Sequence, residues 1–401
     1  MKIDVNKIRT TPDGMEFGFC VFGEPSEEIK EWASVHGFKL EPSERYTNII
    51  FPKNFDFKHC FIQPEQFEYV DGFSPNLNKH LHIGHLSNLV LAKAFQAMET
   101  GKNYIAILGD TLKGEVTKEE ALAAYRKYCD DFNYRVNNIF MASDMKCEVD
   151  ITCEGTGTYK DRDGNEKSAV GTRIFDLGGE NKIIGVKSDG STSYFYQDVA
   201  LCQMLNASTL YLTGSEQAGH FKSLKILFPF IKHVPLGLVT INGEKLSSRK
   251  GNVIFLDQVL DFMNEKFNNP QLAYNILAGQ ILKSAPNVNK EINLDTIENV
   301  KTSLGLYISY TEARLRSAGV PVGQNHEFNS NELQFQYIRA KSNLAPHLFF
   351  QAIIKHCEKI NSLYATNIIR DNEANQAMFS NLLEDLELGM MRLGMFSVDK
   401  V

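Results

Sequence analysis

The alternation of apolar and polar positions changes character along the chain. Near residue 66 a strand and helix rhythm begins. Phe67-Glu68-Tyr69-Val70 reads as a strand, and Leu86 to Phe95 carries the apolar spacing of a helix. Tyr104-Ile105-Ala106-Ile107-Leu108 is a continuous apolar run ending at Gly109-Asp110, the pattern of a strand buried on both faces. Glu119 to Tyr128 again predicts a helix. Ile151 to Lys187 breaks the rhythm. It is rich in Gly, Thr and Asp, with short strand candidates at Thr172 to Phe175 and Ile183 to Val186. Helix and strand patterns then resume: Gln197 to Leu205, Thr209 to Leu212, His220 to Ile231, and Leu236 to Thr240. From Leu256 onward only helical patterns remain, over 256–267, 270–283, 295–316 and 334–395. The loop Gly319 to Asn325 is the best break between two helical units.

Repeated strand and helix alternation implies a parallel sheet that binds its ligands at the carboxyl ends of its strands. The expected fold class is therefore α/β. A Rossmann-like parallel-sheet catalytic domain spans 66–255, with a small insertion at about 151–187. An all-helical C-terminal region follows, in two parts, 256–325 and 326–401. Residues 1–65 are mixed, with Trp32 and an aromatic stretch from Phe51 to Phe61, and they suggest no role. A chain of 401 residues is long enough for two or three domains.

Composition narrows the class a little further. Hydrophobic content of 43% and charged content of 23% are those of an ordinary globular protein. The start, Met1 to Lys7, has no apolar core of a secretory signal, and no run approaches the ~18 apolar residues of a membrane span. Seven scattered cysteines without a CxxC argue against a zinc knuckle and for reduced thiols in a cytoplasm. The net charge of −7 weighs against an extended grip on a polyphosphate backbone, though a local basic patch remains open.

Two short segments carry the chemistry. The first is His82-Ile83-Gly84-His85, inside Ser74-Pro75-Asn76-Leu77-Asn78-Lys79-His80-Leu81-His82. The second is Lys245-Leu246-Ser247-Ser248-Arg249-Lys250-Gly251-Asn252. Alone, the histidines read equally well as helix-start caps and the second segment as an ordinary loop. Together they suit nucleotide chemistry. A helix beginning at His82 offers free N–H groups to a phosphate. Imidazoles donate hydrogen bonds to phosphate oxygens. Lys245 supplies charge for a pyrophosphate, with Ser247 and Ser248 beside it, and Gly84 allows close approach to the backbone.

In this order the two segments resemble the HIGH and KMSKS motifs of class I aminoacyl-tRNA synthetases. Further segments are similar to the arginyl-tRNA synthetase family. These are Ser74-Pro75-Asn76 before HIGH, Asp189-Gly190 through Tyr194 to Asp198, Tyr211 to Phe221, and the helical stretch Leu344 to Phe396. The resemblance implies ATP as substrate, Mg2+ as its counterion, and arginine and tRNA as partners, with no membrane. It implies that His82, His85 and Lys245 are catalytic and that His82, Gly84, His85, Lys245, Ser247 and Ser248 bind ATP. It makes Asn76, Glu154, Tyr194, Asp198 and Gln217 the amino-acid site, and names no metal ligand. Asn76 and Gln217 would hold the amino and carboxylate groups. Tyr194 and Asp198, four apart on one helix face, would meet the guanidinium, with Glu154 as a second acid.

The departures bear on the acceptor. Only about 65 residues precede the catalytic pattern, where the family has a tRNA-contacting domain, and the helical tail is short. Ser87-Asn88-Leu89 replaces Arg-Ser-Thr, and Gly109-Asp110-Thr111-Leu112 replaces Gly-Asp-Trp-Gly. Lys283, Lys301, Arg314 and Arg316 are candidates for charge toward the acceptor end of tRNA. The leading reading is ATP-dependent activation of arginine and its transfer to tRNA-Arg. A synthetase-derived ligase passing arginine or a related amino acid to a non-tRNA acceptor remains open, as does a HxGH nucleotidyltransferase.

Overall fold

The computed structural model describes residues 1–11, 18–52, 59–77, 80–110, 117–160, 166–178, 181–242, 244–245, 255–323, 326–369 and 372–401, with backbone alone at 160, 244 and 245. The chain forms two compact units. One comprises 66–262 and 286–292; the other comprises 1–65, 263–285 and 293–401.

The first unit is built on a five-stranded parallel sheet. Its elements in chain order are β1 (Phe67–Asp71), α1 (Ile83–Ala97), β2 (Gly101–Leu108), α2 (Lys118–Asp131), β3 (Asn138–Met141), α3 (Tyr194–Leu205), β4 (Thr209–Gly214), α4 (Ala218–Leu227) and β5 (Ile231–Leu236). The spatial order is β5-β4-β1-β2-β3, so the sheet is doubly wound and its order reverses between β1 and β4. Asp71, the last residue of β1, pairs with Tyr211 on one side and Ile105 on the other. The apolar run of β2 is buried as its pattern predicts, with Ile105, Ala106 and Leu108 fully inside. Helix α1 is apolar nearly all round and buries Leu86, Leu89, Val90, Leu91, Ala92 and Phe95. A Cβ on Gly72 would lie 2.6 Å from that of Ala92, so glycine there lets the helix approach the strand end closely. Between β3 and α3 lie two small antiparallel sheets. One joins Cys153–Glu154, Arg173–Asp176 and Lys182–Val186; the other is the hairpin Thr158–Lys160 with Glu166–Ser168.

The helix-only expectation beyond Leu256 fails at one place. Lys290–Ile292 is a strand, paired in parallel with Val239–Ile241. Three residues are too few to show a period. The stretch 334–395 is three helices, Asn331–Ser342, Pro346–Thr366 and Glu373–Arg392, rather than one run. Pro346 opens the second in the first-turn position where its missing N–H costs nothing. The helix expected over 295–316 is Leu304–Ser317; Asn293 and Asn299 side chains cap backbone N–H groups of Asp295, Thr296 and Lys301 and hold the preceding residues in turns.

Residues 1–65, which suggested no role, contain an ordered fold of their own. Arg9–Thr10, Phe19–Phe22, Tyr46–Ile50 and Lys39–Pro42 form an antiparallel sheet in that spatial order, with the helix Glu27–His36. Its core gathers Phe19, Trp32 and Phe61, and it is completed by Phe335 and Ile338 of the helix Asn331–Ser342. Phe335 lies 4.5 Å from Phe19 and 5.5 Å from Phe61, ring centre to ring centre. In the same unit Arg316 is bound to Glu312, Glu387 and Asp399, so its charge is already matched by three acids. No helix among the described residues is long and apolar enough to cross a membrane.

Because Phe335 closes the core of the N-terminal sheet, Phe335→Ala is expected to cost roughly 3–5 kcal/mol, the usual cost of emptying a buried phenylalanine site. Urea unfolding combined with hydrogen exchange in residues 1–65 checks this. Unchanged protection of Phe19 to Phe22 would contradict the shared core.

Candidate functional site

The site is built at the carboxyl ends of β1 and β4, where the sheet order reverses. The chain leaves β1 through Gly72-Phe73-Ser74-Pro75-Asn76 before reaching α1. Leu77 N donates to Gly109 O (2.7 Å), and Asn76 bridges to Gly109 at the end of β2. A Cβ on Gly109 would lie 1.9 Å from Asn76 Oδ1, so only glycine leaves room for the Asn76 side chain. Tyr125 supports the same turn from α2. Its ring stacks on Phe73 (5.2 Å), and its hydroxyl donates to Phe73 O (3.1 Å).

The two histidines form the start of α1. His82 is the N-cap, and its Nδ1 accepts from Gly84 N (3.1 Å). His85 reaches back, and its Nδ1 accepts from His82 N (3.1 Å). This is a capping box made of imidazoles rather than Ser and Glu. A backbone N–H can only donate, so both Nδ1 atoms are unprotonated and a neutral ring carries its proton on Nε2. The cap thus selects the tautomer that presents an Nε2–H donor. The rings lie 4.0 Å apart. Burial, helped by the nearby His82, pushes His85 down to about 3, so it stays neutral at physiological pH. Gly84 serves this arrangement, since a Cβ there would meet the His82 ring at 2.9 Å.

The second motif begins in a strand, Glu244–Lys245, paired antiparallel with Val239–Ile241. Ser247 and Ser248 lie outside the described residues, as does the side chain of Lys245. The chain re-enters beside the histidines. Phe255 bridges to His82, Leu256 N donates to Leu81 O (2.9 Å), and the rings of Phe255 and His80 lie 5.5 Å apart. Phe255, three residues beyond the second motif, thus lies beside the first motif, about 170 residues away in sequence.

The acids form the other half. Asp198 and Tyr194 share one face of α3, and Ser193 caps that helix by accepting from Tyr196 N. Asp198 Oδ2 lies 2.6 Å from His220 Nε2 on α4. Gln217 is exposed at the N-cap of α4, at the end of the 3-10 turn Ser215–Gln217 that follows β4. Glu154 is exposed on its small strand, whose backbone pairs with Arg173; among the described residues no hydrogen bond or ion pair joins it to Asp198 or His220.

Sequence reasoning missed Asp71. It is 3% exposed at the switch point. It accepts a short hydrogen bond from Ser74 Oγ, and Ser74 Oγ in turn accepts from Ile107 N (2.9 Å). Burial pushes its carboxyl up to about 7, against the Ser74 hydroxyl, and the charge of Asp198 adds to the rise. The available signal was an acid closing a largely apolar strand, five residues before Asn76.

No family model matches the chain. An arginine–tRNA ligase of Lactobacillus johnsonii is 28% identical over 74% of this chain and 57% of its own length. One from Lactobacillus acidophilus is 36% identical over 37% of this chain and 32% of its own. The chain thus spans about half the length, or less, of the curated relatives it matches. In three dimensions it is similar to Thermus thermophilus arginyl-tRNA synthetase, with TM-score 0.62 and 15% identity over 98% of this chain and 96% of that one. It is also similar to the Plasmodium falciparum arginyl-tRNA synthetase, with TM-score 0.56 and 16% identity over 91% and 86%. The chain therefore shares its fold with these two arginyl-tRNA synthetases. In sequence the chain is similar to arginine–tRNA ligases, and in fold to arginyl-tRNA synthetases.

Asp71 gives a pH signature. Its folded value of about 7 lies above the ordinary carboxylate range near 4, so between those values the folded state holds a proton that the unfolded state has lost. Its contribution to stability is full below pH 4 and falls as pH rises through 7, by at most about 1.4 kcal/mol per pH unit. His85 acts in the opposite sense: its depressed value makes the fold lose stability as pH drops below about 6.5. Asp71→Asn removes only the first effect. The variant should gain on the wild type from pH 4 to 7 and then hold level. Parallel urea midpoints across that range would count against the buried acid.

Proposed function

We propose that the chain activates arginine with ATP to arginyl-adenylate and transfers the arginyl group to tRNA-Arg. The observation that carries this reading is one sheet end with two Nε2–H imidazoles at a helix start and two acids, one buried and one paired with a histidine.

The reaction asks for alignment rather than for a protein nucleophile. A carboxylate oxygen of arginine attacks the α-phosphorus of ATP. The new acyl–phosphate bond forms as the bond to the β-phosphate oxygen breaks, and pyrophosphate leaves with the electron pair. Charge grows on the phosphate oxygens. His82 and His85 donate from Nε2 to them, and the free N–H groups of α1 add their dipole. Lys245, Ser247 and Ser248 hold the departing pyrophosphate. Mg2+ enters as the counterion of the ATP phosphates, and no step is assigned to it. A hydroxyl at the 3′ end of tRNA then attacks the acyl carbon and AMP departs.

Arginine brings two cationic groups, and the site has two acids. Its α-ammonium beside Asp71 offsets the burial that holds that carboxyl near 7 and returns it to the charged form. Its guanidinium meets Asp198, with Tyr194 on the same helix face and Glu154 as a further acid. Asn76 and Gln217 hold the amino and carboxylate ends.

Support for tRNA comes from the helical unit. A cavity of about 750 Å3 is lined by Tyr310, Arg314, Tyr364, Ile368 and Lys400, among others. The Arg314 guanidinium lies 3.9 Å over the Tyr364 ring and donates to Asn361 Oδ1 (3.1 Å). A cation fixed on an aromatic face is a platform for an unstacked base. We assign it to the anticodon. Arg316, bound to its three acids, is not assigned to phosphate contact.

Pyrophosphate exchange with each amino acid, with and without total tRNA, tests the core of the reading. Arginine should be preferred and citrulline rejected; adenylate formation without any charging would transfer the proposal to a non-tRNA acceptor. His82→Asn keeps an acceptor for Gly84 N but deletes the Nε2 donor, so exchange should fall by ~10²-fold or more with the fold retained. Wild-type exchange in that variant would refute the phosphate role. For the cavity, Arg314→Ala or Tyr364→Ala should raise the tRNA KM by about tenfold, the scale of one lost stacking contact, with the arginine KM unchanged.

A further inference from the structure

Asp198 does not stand alone. Its Oδ2 is 2.6 Å from Nε2 of His220, and both groups are largely shielded from solvent. A carboxylate only accepts, so His220 is the donor and its proton is on Nε2. The imidazole is wedged in place. Phe195, from the same helix as Asp198, meets it edge-on at 5.2 Å, and Phe221 lies 5.1 Å away on the other element. Phe221 is itself stacked on His233 at 4.4 Å, and His233 Nε2 lies 2.9 Å from Thr213 Oγ1 at the end of β4. The donor to Asp198 therefore has a fixed position, set by α3, α4, β4 and β5 together.

This matters because the terminal torsion of an aspartate is soft. A carboxylate free to rotate suits a point cation at any angle. A guanidinium needs both oxygens in one plane, facing its fork. A hydrogen bond to one lone pair of Oδ2 fixes that plane and leaves Oδ1 and the second lone pair of Oδ2 open. We infer that His220 is a positioning residue: it sets the plane of the Asp198 carboxylate, and so gives the pocket its preference for a planar, two-point guanidinium over a single ammonium such as that of lysine. This rests on the reading of the site as an arginine pocket and adds the source of its selectivity.

The test compares wild type, His220→Ala, His220→Leu and His220→Gln in pyrophosphate exchange with total tRNA present, using arginine and lysine. Loss of a hydrogen bond to a charged group typically costs about tenfold or more in affinity. His220→Ala and His220→Leu should therefore raise the arginine KM by about tenfold, change kcat by less than about threefold, and lower the arginine-over-lysine ratio by a similar factor. His220→Gln, whose amide N–H stands where Nε2 was, should restore most of both. If His220→Ala does not fold, the Leu and Gln pair still decides, because both fill the wedge and only one donates. An unchanged arginine KM in His220→Leu, or Gln as defective as Leu, would overturn the positioning role while wild type still used arginine. A wild type that ignores arginine would remove the pocket reading itself.

Discussion

What the site can offer a phosphate depends on how the first turn of α1 satisfies its backbone N–H groups. A helix start leaves four of them without partners, and a side chain that caps them ordinarily uses up its polar atoms. Imidazole has two nitrogens. His82 and His85 spend Nδ1 on the backbone, at 3.1 Å each, and keep Nε2 as a donor. A Ser or Asp cap would stabilise the same helix and contribute no second, directed donor. Gly84 makes the arrangement possible by leaving space for the His82 ring. One local solution thus starts the helix and selects the tautomer, and burial keeps the His85 ring neutral.

The second constraint is electrostatic. Asp71 closes β1 and Asp198 lies on α3, and the charge of Asp198 raises the cost of charging Asp71. Burial makes that cost heaviest at Asp71, which is pushed up to about 7. The polar contacts around them each answer part of this: Ser74 donates to Asp71, and His220 donates to Asp198. Two acids so arranged are poorly matched to an empty site and well matched to a ligand with two separated cationic groups.

Much of the sheet could be read from the sequence because its strands are buried on both faces, and a run such as Tyr104 to Leu108 has little alternative fate. What escaped was held by tertiary context. Residues 1–65 showed no clear period because their core is completed by Phe335, far along the chain. Lys290–Ile292 was too short to show a pattern and is a strand only because Val239–Ile241 lies beside it. Asn-capped turns overrode helical spacing at Asp295 to Thr302. At the site, motif order exposed the histidines and Asp198, but not their partners. Asp71 looked like an ordinary strand end, and His220 like a loop residue, because the burial of the one and the hydrogen bond of the other exist only after the sheet has formed.

The same reasoning links fold to selectivity. A parallel sheet with a switch point gives two neighbouring strand ends and two helix starts at no extra cost in loops. Here one helix start is capped by histidines, and the other, α4, carries the histidine that faces an acid on α3. The nucleotide half needs neutral donors, so burial of His85 helps it. In the proposed reaction the amino-acid half needs oriented negative charge: the Ser74 hydroxyl partly offsets the burial of Asp71, and the His220 imidazole donates to the half-buried Asp198. A substitution that improves the empty site, by replacing a buried acid with its amide, therefore removes the term that distinguishes a dication-bearing amino acid from a neutral one of the same shape. At Asp71, stability of the free protein and the proposed discrimination by the pocket pull in opposite directions.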